Sequence, residues 1–383
     1  MRIYIVMDSP PYPYAIGGAE IFAHILSNAL VQLGHEIHLV SVKFGEKTHV
    51  DARDIEILYN RTIINVRGPF LGRTLNYLTL KKRLKDLPPE GDVVFSMMGH
   101  SSLLGYLVKK YLRARALALV FAGLDTEILA RRVHSLRELL YYLVMTVGLK
   151  LGQRENWYIA LTEIMRKKLS RFLDNSRIRV IPVGIEDRFF EIKRDEVSGN
   201  DILFVGRLEE VKNIRILIKA FERLVRELPE ARLIIVGEGS QKRKLKRYID
   251  NKPALKNSIL LVGAVPHEQI HEYYKKASVI VMPSKYEGLS LAALQGMASG
   301  MPLVAAKVGG LQEIVKHGYN GLLFNPGSVD ELFKALTYLL RNKEALLKMG
   351  INARKYAYMF KIKNIAKLYE QFARELMTFI EGR

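Results

Sequence analysis

The chain has 383 residues, of which 49% are hydrophobic and 26% charged, a balance that suits a folded protein of two domains and excludes a disordered one. It contains no cysteine, so disulfide scaffolds, thiolate zinc sites, iron–sulfur clusters and cysteine nucleophiles are excluded together. Its 59 Lys and Arg outnumber 39 Asp and Glu to give a net charge of +20, spread as 29 basic against 21 acidic over residues 1–200 and 30 against 18 beyond. Such a field favours phosphates, whether in nucleotides, nucleic acid or an anionic membrane surface.

Short apolar runs alternate with amphipathic stretches along the whole chain, the pattern of repeated βαβ units. Arg2–Met7 is apolar on both alternating faces, as a buried parallel strand requires. A Pro/Gly-rich loop follows, and then Phe22, Ile25, Leu26, Ala29, Leu30 and Leu33 fall on one helix face. Gly34 stops that helix. Further strands are expected at 35–42, 92–98, 116–122, 157–161 and 178–182. Between Ile181 and Asn200 the text becomes turn-rich, charged and aperiodic. The same grammar then restarts, with strands expected at 201–206, 232–237, 258–263, 278–283, 302–306 and 321–324. Ser328 with Glu331 three residues on reads as a capping box, and helix is expected from Val329 to the end with a break near Met359–Lys363. The expected fold is α/β, with two Rossmann-like, doubly wound parallel-sheet domains facing each other across a crevice. The expected divisions are 1–187, a linker at 188–200, 201–360, and a C-terminal helix at 361–383 that packs back toward the N-terminal domain.

No signal-peptide pattern opens the chain, and its longest uncharged apolar run, Leu139–Leu149, is far short of the ~20 residues that span a bilayer. The expectation is a cytoplasmic protein. Two basic-then-apolar stretches, 73–85 and 131–149, read as core-packed helices with solvated ends or as helices lying on anionic lipid. No nucleic-acid-binding module is recognisable, so nucleic acid is set aside as a partner.

In open parallel sheets ligands sit beyond the carboxyl ends of the strands, so the loops after strands hold the candidates. Gly17-Gly18 precedes the first helix, where backbone can approach a ligand and free N–H groups favour an anion, although a plain strand-to-helix turn has the same composition. After DILFV comes Gly206, then Arg207 and Lys212 five positions apart. Such a pair can neutralise a diphosphate without a metal, Arg through a bidentate fork and Lys as a point charge. After SVIVMP come Glu287, an acid at a probable crevice, and Gly288, before a helix. The pairs Gly237/Gly239 and Gly309/Gly310 also follow strands, and alone are weak signals. There is no Asp-x-Asp, no convincing metal-ligand spacing and no G-x-S-x-G elbow.

Taken together, VGRLEEVKN, the run from GAVPHEQIHEYYKK through KYEGLSLAALQGMASGMPLVAAKVGG, and LQEIVKHGYNGLLFNPG resemble the retaining, GT-B-fold glycosyltransferases of family 4. The resemblance extends from Met1 to about Leu340. It implies an N-terminal acceptor domain and a C-terminal domain for a nucleotide-sugar donor, a UDP- or GDP-hexose. The sugar would pass to a glycan or lipid-linked acceptor with retained configuration, and neither cofactor nor metal is implied. Gly17 and Gly18 would shape the N-domain side of the donor site, and Arg207 and Lys212 would hold the diphosphate. Glu287 would bind hydroxyls of the transferred sugar, while Gly206 and the backbone of Gly288, Leu289, Ser290 and Leu291 would face sugar and phosphate. Two positions depart from the family. Gln295 stands where a second Glu meets the ribose, and Ala122 stands where a His meets the donor, with His100 a possible substitute. These departures keep open a catalytically impaired nucleotide-sugar-binding protein of the same fold.

Overall fold

The computed structural model describes residues 1–7, 17–43, 63–67, 84, 87–97, 101–121, 146–151, 155–194 and 199–382. Ala122, His100, nearly all of 73–85 and the greater part of 131–149 lie outside those residues. The chain forms two units: Met1–Gly184 together with Ile362–Arg383, and Ile185–Lys361.

The first unit holds a seven-stranded sheet built from β1 (Arg2–Val6), β2 (Glu36–Lys43), β3 (Ile63–Arg67), β4 (Val93–Met97), β5 (Ala116–Phe121), β6 (Trp157–Ala160) and β7 (Ile178–Val180). Their order is β3-β2-β1-β4-β5-β6-β7, and every pairing is parallel. β3 was not anticipated. Among the described residues its helices include α1 (Gly18–Gln32), α2 (Ser102–Leu112), α3 (Glu163–Leu169) and Ile362–Glu381, the last in the chain. That last helix buries Tyr369 completely, against Phe22 of α1 and edge-on to Phe95 of β4 at 5.1 Å. Phe372 and Phe379 meet Trp157 edge-on in the same way. The C-terminus is thus a layer of this unit, separated in sequence by the whole of the other.

The second unit holds a six-stranded parallel sheet. Its strands are β8 (Asp201–Val205), β9 (Arg232–Val236), β10 (Ile259–Gly263), β11 (Val279–Met282), β12 (Leu303–Ala306) and β13 (Gly321–Phe324), in the order β10-β9-β8-β11-β12-β13. Its helices are α4 (Ile214–Glu227), α5 (Lys242–Asp250), α6 (Pro253–Lys256), α7 (His271–Lys276), α8 (Leu291–Ala298), α9 (Leu311–Ile314), α10 (Val329–Arg341) and α11 (Lys343–Ala357), which makes the terminal helix α12. One face of the sheet is covered by α4, α5 and α10, whose Phe221, Leu224, Leu245, Leu332 and Leu336 join the buried core. At the start of α10 only half of the capping box forms. Ser328 Oγ accepts from Glu331 N, while the Glu331 carboxylate accepts from Asn325 instead.

Residues 188–194, expected as linker, are built into the second unit. Phe189 is fully buried, edge-on to Tyr274 at 5.4 Å, and Arg194 donates to the carbonyls of Tyr274, Ala277 and Ser299. The reason is local. Those carbonyls sit at helix ends without intrahelical partners, and a guanidinium with five donors satisfies several at once. A little earlier, Glu186 lies 2.5 Å from His267 Nε2. Burial alone would raise the Glu186 carboxyl, but the His267 and Arg188 contacts prevail and hold it below its ordinary value.

Candidate active site

Strand order reverses between β8 and β11. From that pair one half of the sheet runs outward to β10 and the other to β13. A doubly wound sheet opens a crevice for ligand at this point, because consecutive connections leave to opposite sides. The two loops that flank it are 206–213 after β8 and 283–290 after β11. These are the loops that carry Arg207, Lys212 and Glu287.

The geometry brings two of the three side chains together. Lys212 Nζ is 2.5 Å from Glu287 Oε2, with both side chains largely shielded, and Ser284 Oγ donates to the same oxygen at 3.1 Å. The loops are also tied through backbone, since Lys285 N donates to Val211 O at 2.8 Å. Arg207 is exposed on the same loop, and its charge acts on Glu209, whose carboxylate is engaged by Ser240. One cation is therefore paired with the acid while the other projects into solvent. An arriving polyanion would meet Arg207 directly and would compete with Glu287 for Lys212.

Gly288, Leu289, Ser290 and Leu291 are buried where the second loop enters α8, and Ser290 Oγ caps that helix by accepting from Ala293 N. Gln295 is one turn further in and only 3% exposed. Its Oε1 accepts from the fully buried Tyr274 hydroxyl at 3.2 Å, and its Nε2 has no partner among the described residues. Burial holds the Tyr274 phenol well above its ordinary value, so it stays a donor. Tyr274 is equally close to Ala292 O, and one hydroxyl proton cannot fully serve both acceptors. Gly17 and Gly18 belong to the other unit, where Gly17 is the N-cap of α1 in extended conformation and Gly18 its first residue.

Two glycines gain a role that spacing did not reveal. Gly309 has φ +44°, and a Cβ there would stand 1.8 Å from the carbonyl oxygen of Glu287. Gly237 has φ +142°, and its Cβ would stand 1.9 Å from Gly206 O. Each lets a site loop pass directly over a neighbouring strand end. The sequence signal was the glycine after the strand, but only tertiary structure shows which loop crosses it.

Among the described residues no three His, Asp or Glu side chains gather as a metal site. No described helix is long and apolar enough to cross a membrane.

Profiles for two protein families match the chain in succession. Glycosyltransferase Family 4 matches residues 16–189, and Glycosyl transferases group 1 matches 186–356. With the two parallel-sheet units, these matches make the chain a member of the GT-B glycosyltransferases of group 1. Among its relatives is the uncharacterized glycosyltransferase MJ1607 of Methanocaldococcus jannaschii, 26% identical over 96% of both chains. MJ1178 of the same organism is 29% identical over 56% of this chain and 59% of its own length. Among solved structures, sucrose-phosphate synthase from Thermosynechococcus elongatus superposes with a TM-score of 0.81 at 21% identity, covering 99% of this chain and all of the other. Anabaena Alr3699/HepE in complex with UDP superposes at 0.76 and 18% identity, covering 98% and 100%. These structural likenesses speak to the fold.

Proposed function

We propose that the protein transfers a hexose from a UDP- or GDP-sugar to a glycan or lipid-linked acceptor, with retention of configuration and without a metal. It would act in the cytoplasm, with peripheral contact to anionic membrane through 73–85 and 131–149. The observation that carries the reading is the Lys212–Glu287 pair at the β8/β11 reversal, with Arg207 free to meet an anion beside it. In this scheme Arg207 and Lys212 hold the two phosphates and stabilise the charge that builds on them as the glycosidic bond lengthens. Glu287, released from Lys212, accepts hydrogen bonds from sugar hydroxyls. Gly206 and the backbone of 288–291 approach sugar and phosphate, and the family resemblance assigns Gly17 and Gly18 to the donor as well. The UDP bound to HepE supports a uridine donor as the first to try.

A panel of UDP-glucose, UDP-N-acetylglucosamine, UDP-galactose and GDP-mannose, read by thermal shift in EDTA, tests the donor. A specific donor at ~100 Kd adds about 2.7 kcal/mol of stability. NMR of the product then reads its anomeric configuration. Inversion, or a strict need for added metal, would overturn the corresponding part of the proposal. One observation favours a second reading, an impaired protein that binds nucleotide sugar without turning it over. Gln295 is bonded to Tyr274 and buried, instead of offering an exposed acceptor. Donor-dependent stabilisation without release of nucleoside diphosphate in any acceptor mixture would select it.

A further inference from the structure

The second unit carries another concavity, which neither Arg207, Lys212, Glu287 nor Gly288 lines. It encloses about 600 Å³ between α4 and α5, within the range of small-molecule sites. Four cations surround it: Arg215 and Lys219 from α4, Lys244 from α5, and Lys285 from the loop after β11.

The two acids at its edge are already engaged. Glu209 accepts from Ser240 N at 3.0 Å and Ser240 Oγ at 2.6 Å, and Glu210 sits 2.5 Å from Lys285 Nζ. Arg215, Lys219 and Lys244 have no ion pair within 4 Å among the described residues. Their neighbours Arg223, Arg226, Lys242 and Lys246 each have one. Three like charges therefore line one cavity, and Glu210, already paired with Lys285, is also held below its ordinary value by the charges of Lys244 and Arg215. Asn213 and Gln241 add neutral polar groups to the wall, and its apolar part comes from Ile216, Leu245 and the ring of Tyr248, whose hydroxyl is tied to Glu222 at 2.9 Å.

The wall narrows the ligand class. A purely apolar molecule would leave three repelling cations without a counter-charge, and a bare phosphate would leave the apolar wall uncovered. We infer that the cavity between α4 and α5 binds a small phosphate-bearing molecule with an apolar body, at a site separate from the Lys212–Glu287 pair.

The test uses 1-naphthyl phosphate titrated into the full chain by calorimetry. One saturable site is expected in the wild type and equally in the Arg207→Ala/Lys212→Ala variant. Loss of binding in that variant would place the probe at the proposed donor site and overturn the inference. Arg215→Glu/Lys244→Glu should weaken binding at least ~10-fold, whereas Lys348→Glu/Lys363→Glu, an equal charge change on exposed positions elsewhere, should not. Equal effects of the two double variants, no effect of the first, or no saturable binding at all would each refute it. Inorganic phosphate should bind at least ~10-fold more weakly, and equal affinity would remove the apolar component. A measurement without any variant completes the set: affinity for the wild type should fall as salt rises from about 0.05 M to about 0.3 M, and a salt-independent affinity would count against the cations.

Discussion

Lys212 and Glu287 hold each other 75 residues apart in sequence, so each substitution affects both the ligand and the partner left behind. Removing Glu287 frees Lys212 for a phosphate, while removing Lys212 leaves a shielded carboxylate that repels one. Arg207→Ala, Lys212→Ala and Glu287→Ala are each expected to lower kcat/KM at least about tenfold, with Lys212→Ala also weakening donor affinity in calorimetry. Turnover like the wild type's in the Glu287 variant would remove the pair from the mechanism. Gly309 is a further residue on which the proposed site depends. At φ +44° and 1.8 Å from Glu287 O, a methyl group meets both a strained backbone and a fixed carbonyl. Gly309→Ala should destabilise the protein by more than about 1 kcal/mol, seen in denaturant unfolding, and should lower donor affinity because the loop bearing Glu287 must shift. Sequence reading picked out Arg207, Lys212 and Glu287 as candidates through their place after strands. It named Gly309 only as half of a weak glycine pair after a strand, because its importance lies in a carbonyl 22 positions upstream that only the fold brings near. Nor could it show that Gln295 turns to Tyr274, since amide orientation is decided by packing.

At the scale of elements, most strands were legible because both faces of a parallel sheet are covered, so each strand is an unbroken apolar run. β3, IINVR, was missed because it is short, carries Asn65 and ends on Arg67 at the sheet's edge. The join between α12 and β2 makes stability depend on pH. His35 is buried ahead of β2, with the Met1 amino group 3.4 Å from Nδ1 and Glu370 of α12 3.3 Å from Nε2. Burial foremost, then the charge of the amino terminus, pulls its pKa below the ordinary 6.5 despite Glu370. The folded state therefore prefers the neutral ring. Its contribution is complete above about pH 6.5 and is lost as pH falls toward the lower folded value. The midpoint of thermal unfolding should drop as pH is lowered from 7.5 through 6, and His35→Gln should flatten that part of the profile. An unchanged profile would mean that other groups set the slope.

For the whole molecule, a net charge of +20 favours any extended anionic surface. The stretches 73–85 and 131–149 pair basic with apolar residues, as surface-lying helices do. Cosedimentation with anionic vesicles at low salt should be substantial and should decline as salt rises. No association with those vesicles would confine the acceptor reading to water-soluble glycans.

The threading of the chain, out of the first unit at Gly184 and back into it at Ile362, has a consequence for synthesis. On the ribosome residues 185–361 emerge as a complete set, able to close their own sheet and core while translation continues. The first unit began earlier, yet it must wait. Phe22, Phe95 and Trp157 stay uncovered until Tyr369, Phe372 and Phe379 follow the second unit. The first unit is thus sealed after the second, and a chain stopped at Lys361 would hold one finished half joined to an unsealed one.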